Sequence, residues 1–89
     1  MKYIVKRRGV QQEYQNKKIF NTCFRACLNA DLDDNEAKQA CKQVVSEVDK
    51  WIKSKQEVTS DEIFKLVTRL LTKENKDAGF MYETHRDII

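Results

Sequence analysis

Two tetrapeptides mark where helices must begin. Asp33-Asp34-Asn35-Glu36 and Thr59-Ser60-Asp61-Glu62 each set an oxygen-bearing side chain three residues ahead of a glutamate, and apolar residues at helical spacing follow. In such a capping box the first side chain accepts from the amide three residues on, and the glutamate reaches back to the first residue's own amide. The chain contains no proline, and its glycines stand only at 9 and 79. Nothing therefore interrupts the runs that start at these points, and long helices joined by polar connections are favoured over an all-β fold.

Hydrophobic periodicity places the remaining elements. Asn16 is suited to cap a first helix running to about Asn29, with Ile19, Phe20, Cys23, Phe24, Cys27 and Leu28 on one stripe. The helix capped by Asp33 runs to about Lys53 and carries Ala37, Ala40, Cys41, Val44, Val45, Val48, Trp51 and Ile52 inward. Residues Ser54 to Val58 read as a polar connection. The helix capped by Thr59 buries Ile63, Leu66, Val67, Leu70 and Leu71. After a charged turn, Lys73 to Asp77, a last helix from about Lys76 to Arg86 holds Ala78, Met81 and Tyr82. Gly79 weakens that helix by about 1 kcal/mol relative to alanine. At the N-terminus, Lys2 to Lys6 alternates around Tyr3 and Val5, Arg7-Arg8-Gly9 forms a turn, and Gln11 to Tyr14 returns as a second strand. A lone hairpin is marginal in water, so it must lie on the helices. The expected fold is mainly α within the α+β class: a β-hairpin packed on a four-helix bundle, as a single domain over residues 1–89.

Several function classes fall away. Cys23, Cys27 and Cys41 form no C-x-x-C pair, and the one histidine, His85, is far along the chain. No zinc set is expected, and the thiols read as reduced core residues. No Ser-His-Asp or Cys-His arrangement, paired-carboxylate cluster, P-loop or dinucleotide fingerprint is present, so catalysis is not expected. No apolar run approaches the roughly 20 residues of a membrane span, and the N-terminus is too short and charged for a signal peptide. The expected compartment is the cytoplasm.

Charge supplies the positive indication. Up to Arg25 the chain carries Lys2, Lys6, Arg7, Arg8, Lys17, Lys18 and Arg25 against Glu13 alone, within a net charge of +3. Such asymmetry suits an anionic partner. Lys17 and Lys18 fall in the first turn of a helix, where the dipole disfavours cations unless an anion is bound. Lys6 and Arg7 beside the turn, with Lys18, could converge on phosphate, Arg as a two-pronged donor and Lys as a point charge. Gln12, Glu13 and Gln15 could read a base edge or a ribose. A small nucleic-acid-binding protein would use the same basic edge on a phosphate backbone.

Ile4-Val5-Lys6-Arg7-Arg8-Gly9, then a polar triplet, Tyr14 and Lys17-Lys18-Ile19, resembles the opening of the ATP-cone domain. That domain regulates many ribonucleotide reductases and occurs in the zinc-ribbon repressor of bacterial reductase genes. Glu57 to Ile63 resembles the family's segment before its third helix, and Asp77 to Tyr82 with His85-Arg86 its closing helix. The resemblance implies a non-catalytic switch that binds ATP or dATP, with magnesium only as the nucleotide's companion. By position it implies Lys6, Arg7 and Lys18 at the phosphates, Ser60 as a hydroxyl contact and Ile4 beside the base. Gln12, Gln15 and Phe64 stand where members often carry an acidic residue, Asn or Asp, and a polar residue. Arg8 replaces a usual Asp. A reductase subunit or a DNA-binding regulator is the implied partner, with self-association an option. A cone that keeps the fold without the ligand would instead be a protein-interaction module. A chain ending at Ile89 is expected to be either a free-standing cone or an excised domain.

Overall fold

The computed structural model describes residues 3–5 and 11–84. The expected turn at Arg7-Arg8-Gly9 and the approach to Arg86 lie outside them. The elements are β1 (Tyr3–Val5), β2 (Gln11–Glu13), α1 (Asn16–Asn29), α2 (Asp34–Lys53), β3 (Val58–Thr59), α3 (Ser60–Glu74) and α4 (Lys76–Thr84).

Both capping boxes form as written in the sequence. Asp33 Oδ1 accepts from the Glu36 amide at 2.8 Å, and Glu36 Oε1 accepts from the Asp33 amide at 3.1 Å. Thr59 Oγ1 and Glu62 Oε1 make the same exchange at 3.1 and 3.0 Å. The α1 start differs from expectation. Asn16 is the first helical residue, and Gln15 takes the extended cap conformation, φ −131° and ψ 109°, with no side-chain cap bond. The reason is tertiary: the Asn16 side-chain Nδ2 donates to Asp49 on α2 at 3.2 Å.

The region after α1 is an ordered stop. Asp31 has φ 67°, its amide donates to the Leu28 carbonyl at 3.0 Å, and the Leu32 amide donates to the Cys27 carbonyl at 3.1 Å. A left-handed residue with these two bonds satisfies carbonyls that the helix end leaves open.

Each helix packs on its sequence neighbours, and α4 closes back onto α1. The buried centre takes Cys23 and Cys27 from α1, Val44 and Val48 from α2, Val67 and Leu71 from α3, and Ala78 and Tyr82 from α4. Leu28, expected on the buried stripe, is 41% exposed. Phe20 and Phe24 are only half-buried and stack on each other with centroids 6.1 Å apart. These three residues form a ridge beside the packed face, which neither α2 nor α4 covers fully. Trp51, near the end of α2, is half-buried, with the Lys55 ammonium 5.3 Å from its ring centre.

The β-structure is larger than a strand pair. β1 pairs antiparallel with β2, with Ile4 opposite Gln12. It also pairs parallel with β3, with Ile4 opposite Val58, giving the sheet order β2-β1-β3. Val58, assigned to a polar connection on sequence, is fully buried. A two-residue strand shows no alternation, so periodicity could not reveal it. α1 and α2 supply the long crossover that a parallel neighbour requires.

Candidate functional site

One cleft lies where the sheet meets the starts of α1 and α3. Ile4 and Gln12 reach it from the sheet, Gln15 and Lys18 from the start of α1, and Ser60 from the first residue of α3. Ile19 and Ile63, both buried, supply apolar walls, and Glu13 and Tyr14 complete the rim. The local order of the chain explains this convergence. β2 passes into α1 through only Tyr14 and Gln15, β3 passes directly into α3, and β1 lies between the two strands. The cleft is small, about 90 Å³. That is well below the roughly 300–1,000 Å³ of a pocket that engulfs a drug-sized ligand. A ligand of that size would lie across it, with part of its surface open. A wider concavity of about 570 Å³ borders the Phe20–Phe24–Leu28 ridge, with Asn21 and Arg25 of α1 and Lys38 of α2 as its polar lining.

The chemistry at the cleft is mixed. Lys18 and Gln15 are exposed, while Ile4, Gln12 and Ser60 are half-buried. The start of α1 has no acidic residue in its first turn and no side-chain cap. Its positive end and open amides therefore face no competing carboxylate of its own first turn, a setting that favours an anion. The start of α3 is different, since its capping box and Asp61 already answer the dipole there. Gln12 and Gln15 can each donate and accept, Ser60 can do both through one hydroxyl, and Ile4, Ile19 and Ile63 can meet an apolar ring face.

Of the eight positions singled out in the sequence, Ile4, Gln12, Gln15, Lys18 and Ser60 border this cleft. Lys6 and Arg7 lie outside the described residues. Phe64 does not border it: its ring stacks on Tyr82 of α4, with centroids 5.5 Å apart and planes 23° from parallel. Burial against another aromatic ring outweighs exposure at a cleft edge. Tyr14, Ile19 and Ile63 were not among the sequence candidates. The apolar stripe signalled Ile19 and Ile63 as core, but nothing local said that they also form a wall.

The rim is held by a residue outside it. The Tyr14 hydroxyl donates to Asp49 Oδ1 at 2.7 Å, and the Asn16 side-chain Nδ2 donates to Asp49 Oδ2. Burial, together with the hydrogen bond to the Asp49 carboxylate and its charge, pushes the Tyr14 phenol well above its ordinary range, so it remains a donor. No sequence signal marks Asp49, which reads as one more charge on a solvated helix face.

The three cysteines are free, fully buried and clustered between α1 and α2. The hydrogen bond that Cys27 donates to Cys41, with burial, pushes the Cys27 thiol far up, and the hydrogen bond that Cys41 donates to Cys23, with burial, pushes Cys41 up to about 12. Protonated, enclosed thiols are neither nucleophiles nor metal ligands. Among the described residues, no group of three or more His, Cys, Asp or Glu could hold a metal ion. No helix among them is long and apolar enough to cross a membrane.

The family model of the ATP cone domain matches residues 2–81. The chain belongs to the ATP-cone family. No curated protein and no solved structure gives a significant match. ATP-cones are regulatory rather than catalytic domains, and their effectors are ATP and dATP. Membership therefore carries a nucleotide-binding, regulatory role in general terms.

Proposed function

We propose that this protein is a single-domain ATP-cone, residues 1–89, that binds ATP or dATP across the cleft between the β1–β2 pair, the α1 start and Ser60. The convergence of five family positions on one cleft, at a helix start with no side-chain cap and no acidic residue in its first turn, carries this reading. Lys18, with Lys6 and Arg7, takes the phosphates, and magnesium accompanies them. Gln12 and Gln15 read the base edge or ribose, and Ile4 lies against the base. The bound state reports to a partner in the cytoplasm, a ribonucleotide reductase subunit or a DNA-binding regulator of reductase genes, through direct contact or self-association.

Thermal unfolding with and without millimolar ATP, dATP and GTP tests the reading. A ligand that binds only the folded state, at one hundred times its dissociation constant, adds about 2.7 kcal/mol. That raises the midpoint by roughly 10 °C or more in a domain of this size. Lys18→Ala should lose most of the shift. A midpoint that ignores all three nucleotides, in a protein that still melts cooperatively, refutes nucleotide binding. It would favour a second reading, a cone kept for protein contact, which the small cleft and the packing of Phe64 on Tyr82 support. Binding to DNA that falls steeply with salt, without any response to ATP, would favour the nucleic-acid reading instead.

A further inference from the structure

Asp49 lies on α2 and does not border the cleft, yet both of its carboxylate oxygens are committed to the segment that builds it. Oδ1 accepts from Tyr14 and Oδ2 from Asn16, the residues on either side of Gln15. Gln15 is the cap position of α1 and has no side-chain bond of its own to hold the turn. The Lys18 amide donates to the Gln15 carbonyl at 3.1 Å, so the placement of Lys18 follows from that of Gln15. One carboxylate thus clamps the strand-to-helix junction from outside and orients two of the cleft's polar groups. The Tyr14 bond is partly buried and goes to a charged acceptor, which makes it the stronger of the two.

We propose that Asp49 is a positioning residue for the nucleotide site, holding Gln15 and Lys18 in register through Tyr14 and Asn16. It acts without touching the ligand, and it ties occupancy of the cleft to α2. This inference rests on the nucleotide-binding reading above.

The test is calorimetric titration of ATP into the full chain at a temperature well below the melting midpoint. The proteins compared are wild type, Asp49→Ala, Asp49→Asn, Tyr14→Phe and the Tyr14→Phe/Asp49→Ala pair, each checked for native helix content by circular dichroism. Asp49→Ala should weaken binding on the order of tenfold, the scale of one hydrogen bond to a charged group. Tyr14→Phe should weaken it less, because Asn16 still holds the carboxylate. The double variant should bind no more weakly than Asp49→Ala, since both changes remove one device. Asp49→Asn keeps an acceptor for Tyr14 and should recover part of the affinity. A merely structural role would lower the melting midpoint and leave the affinity of the folded protein unchanged. Should Asp49→Ala fail to fold, Tyr14→Phe and Asp49→Asn carry the comparison. If wild type binds ATP and the folded variants match it within twofold, the positioning role is overturned. If wild type itself does not bind ATP or dATP, the nucleotide reading fails, and this role falls with it.

Discussion

Gly79 sets two effects of opposite sign against each other. It lies inside α4, where alanine is favoured over glycine by about 0.8–1.0 kcal/mol, so propensity alone makes Gly79→Ala stabilising. The packing argues the reverse. A Cβ at position 79 would stand 2.7 Å from Thr72 Cα and 2.8 Å from Thr72 Cβ on α3. Carbon atoms rest about 3.5–4.0 Å apart, so roughly 1 Å must be found. Rotation of a side chain cannot supply it, because the nearest carbon is backbone. α4 must lift from α3, which loosens the burial of Ala78 and Tyr82 on the same helix. Overpacking typically costs about 1–3 kcal/mol, and an overlap with backbone belongs at the upper end. Subtracting the propensity gain leaves a net loss of about 1–2 kcal/mol, or a midpoint lowered by roughly 4–16 °C. Thermal unfolding followed by far-ultraviolet circular dichroism measures it directly. Adding Thr72→Ala should restore little, since Thr72 Cα remains in place. A Gly79→Ala protein that melts at or above wild type would show that the helices do not approach this closely.

Three further outcomes follow from geometry elsewhere. Asp31 holds φ 67°, so Asp31→Gly should raise stability by up to about 1 kcal/mol, relief of the left-handed conformation exceeding glycine's entropy; a lower melting midpoint would contradict this. Cys27 and Cys41 favour the protonated thiol in the folded state, so their contribution is complete below the ordinary thiol range near pH 8.5. It declines above that range, as the pH climbs toward Cys41's value of about 12. In a thiol-reagent assay near pH 8, none of the three cysteines should react rapidly until denaturant is added. One fast thiol in the native protein would show that the cluster is open.

What the sequence reveals tracks how local each interaction is. The capping boxes were legible because both of their hydrogen bonds close within four residues, and the structure forms both. The apolar stripes were legible as faces but not in width. Residues 20, 24 and 28 satisfy helical spacing as well as 19, 23 and 27 do, and only the placement of α2 and α4 decides which ridge is buried. β3 was illegible because two residues carry no periodicity, and its partner Ile4 is far away in the chain. The N-cap of α1 was misplaced by one residue because Asn16 has a tertiary partner that outcompetes the local cap. Phe64 shows the same limit from the other side. The family resemblance put it at the site, whereas its ring found an aromatic neighbour on α4.

The cleft depends most on the element with the weakest sequence signal. β1 is three residues long, and Ile4 at its centre is flanked in register by Gln12 on one side and Val58 on the other. Ser60 follows Val58 by two residues, and Gln15 follows Gln12 by three. A slip of β1 by one residue would exchange the faces that its side chains occupy and take Ile4 off the cleft. Such a short strand is marginal alone, so its register is set by its two neighbours, by the buried Val58 and by the Asp49 clamp beyond β2. A nucleotide spanning Gln12, Lys18 and Ser60 would bridge three separately anchored segments, and its binding free energy would add directly to the stability of this corner. On the proposed reading, ligand occupancy would tighten a small sheet whose neighbours are the starts of α1 and α3, and those two helices would carry the change into the bundle.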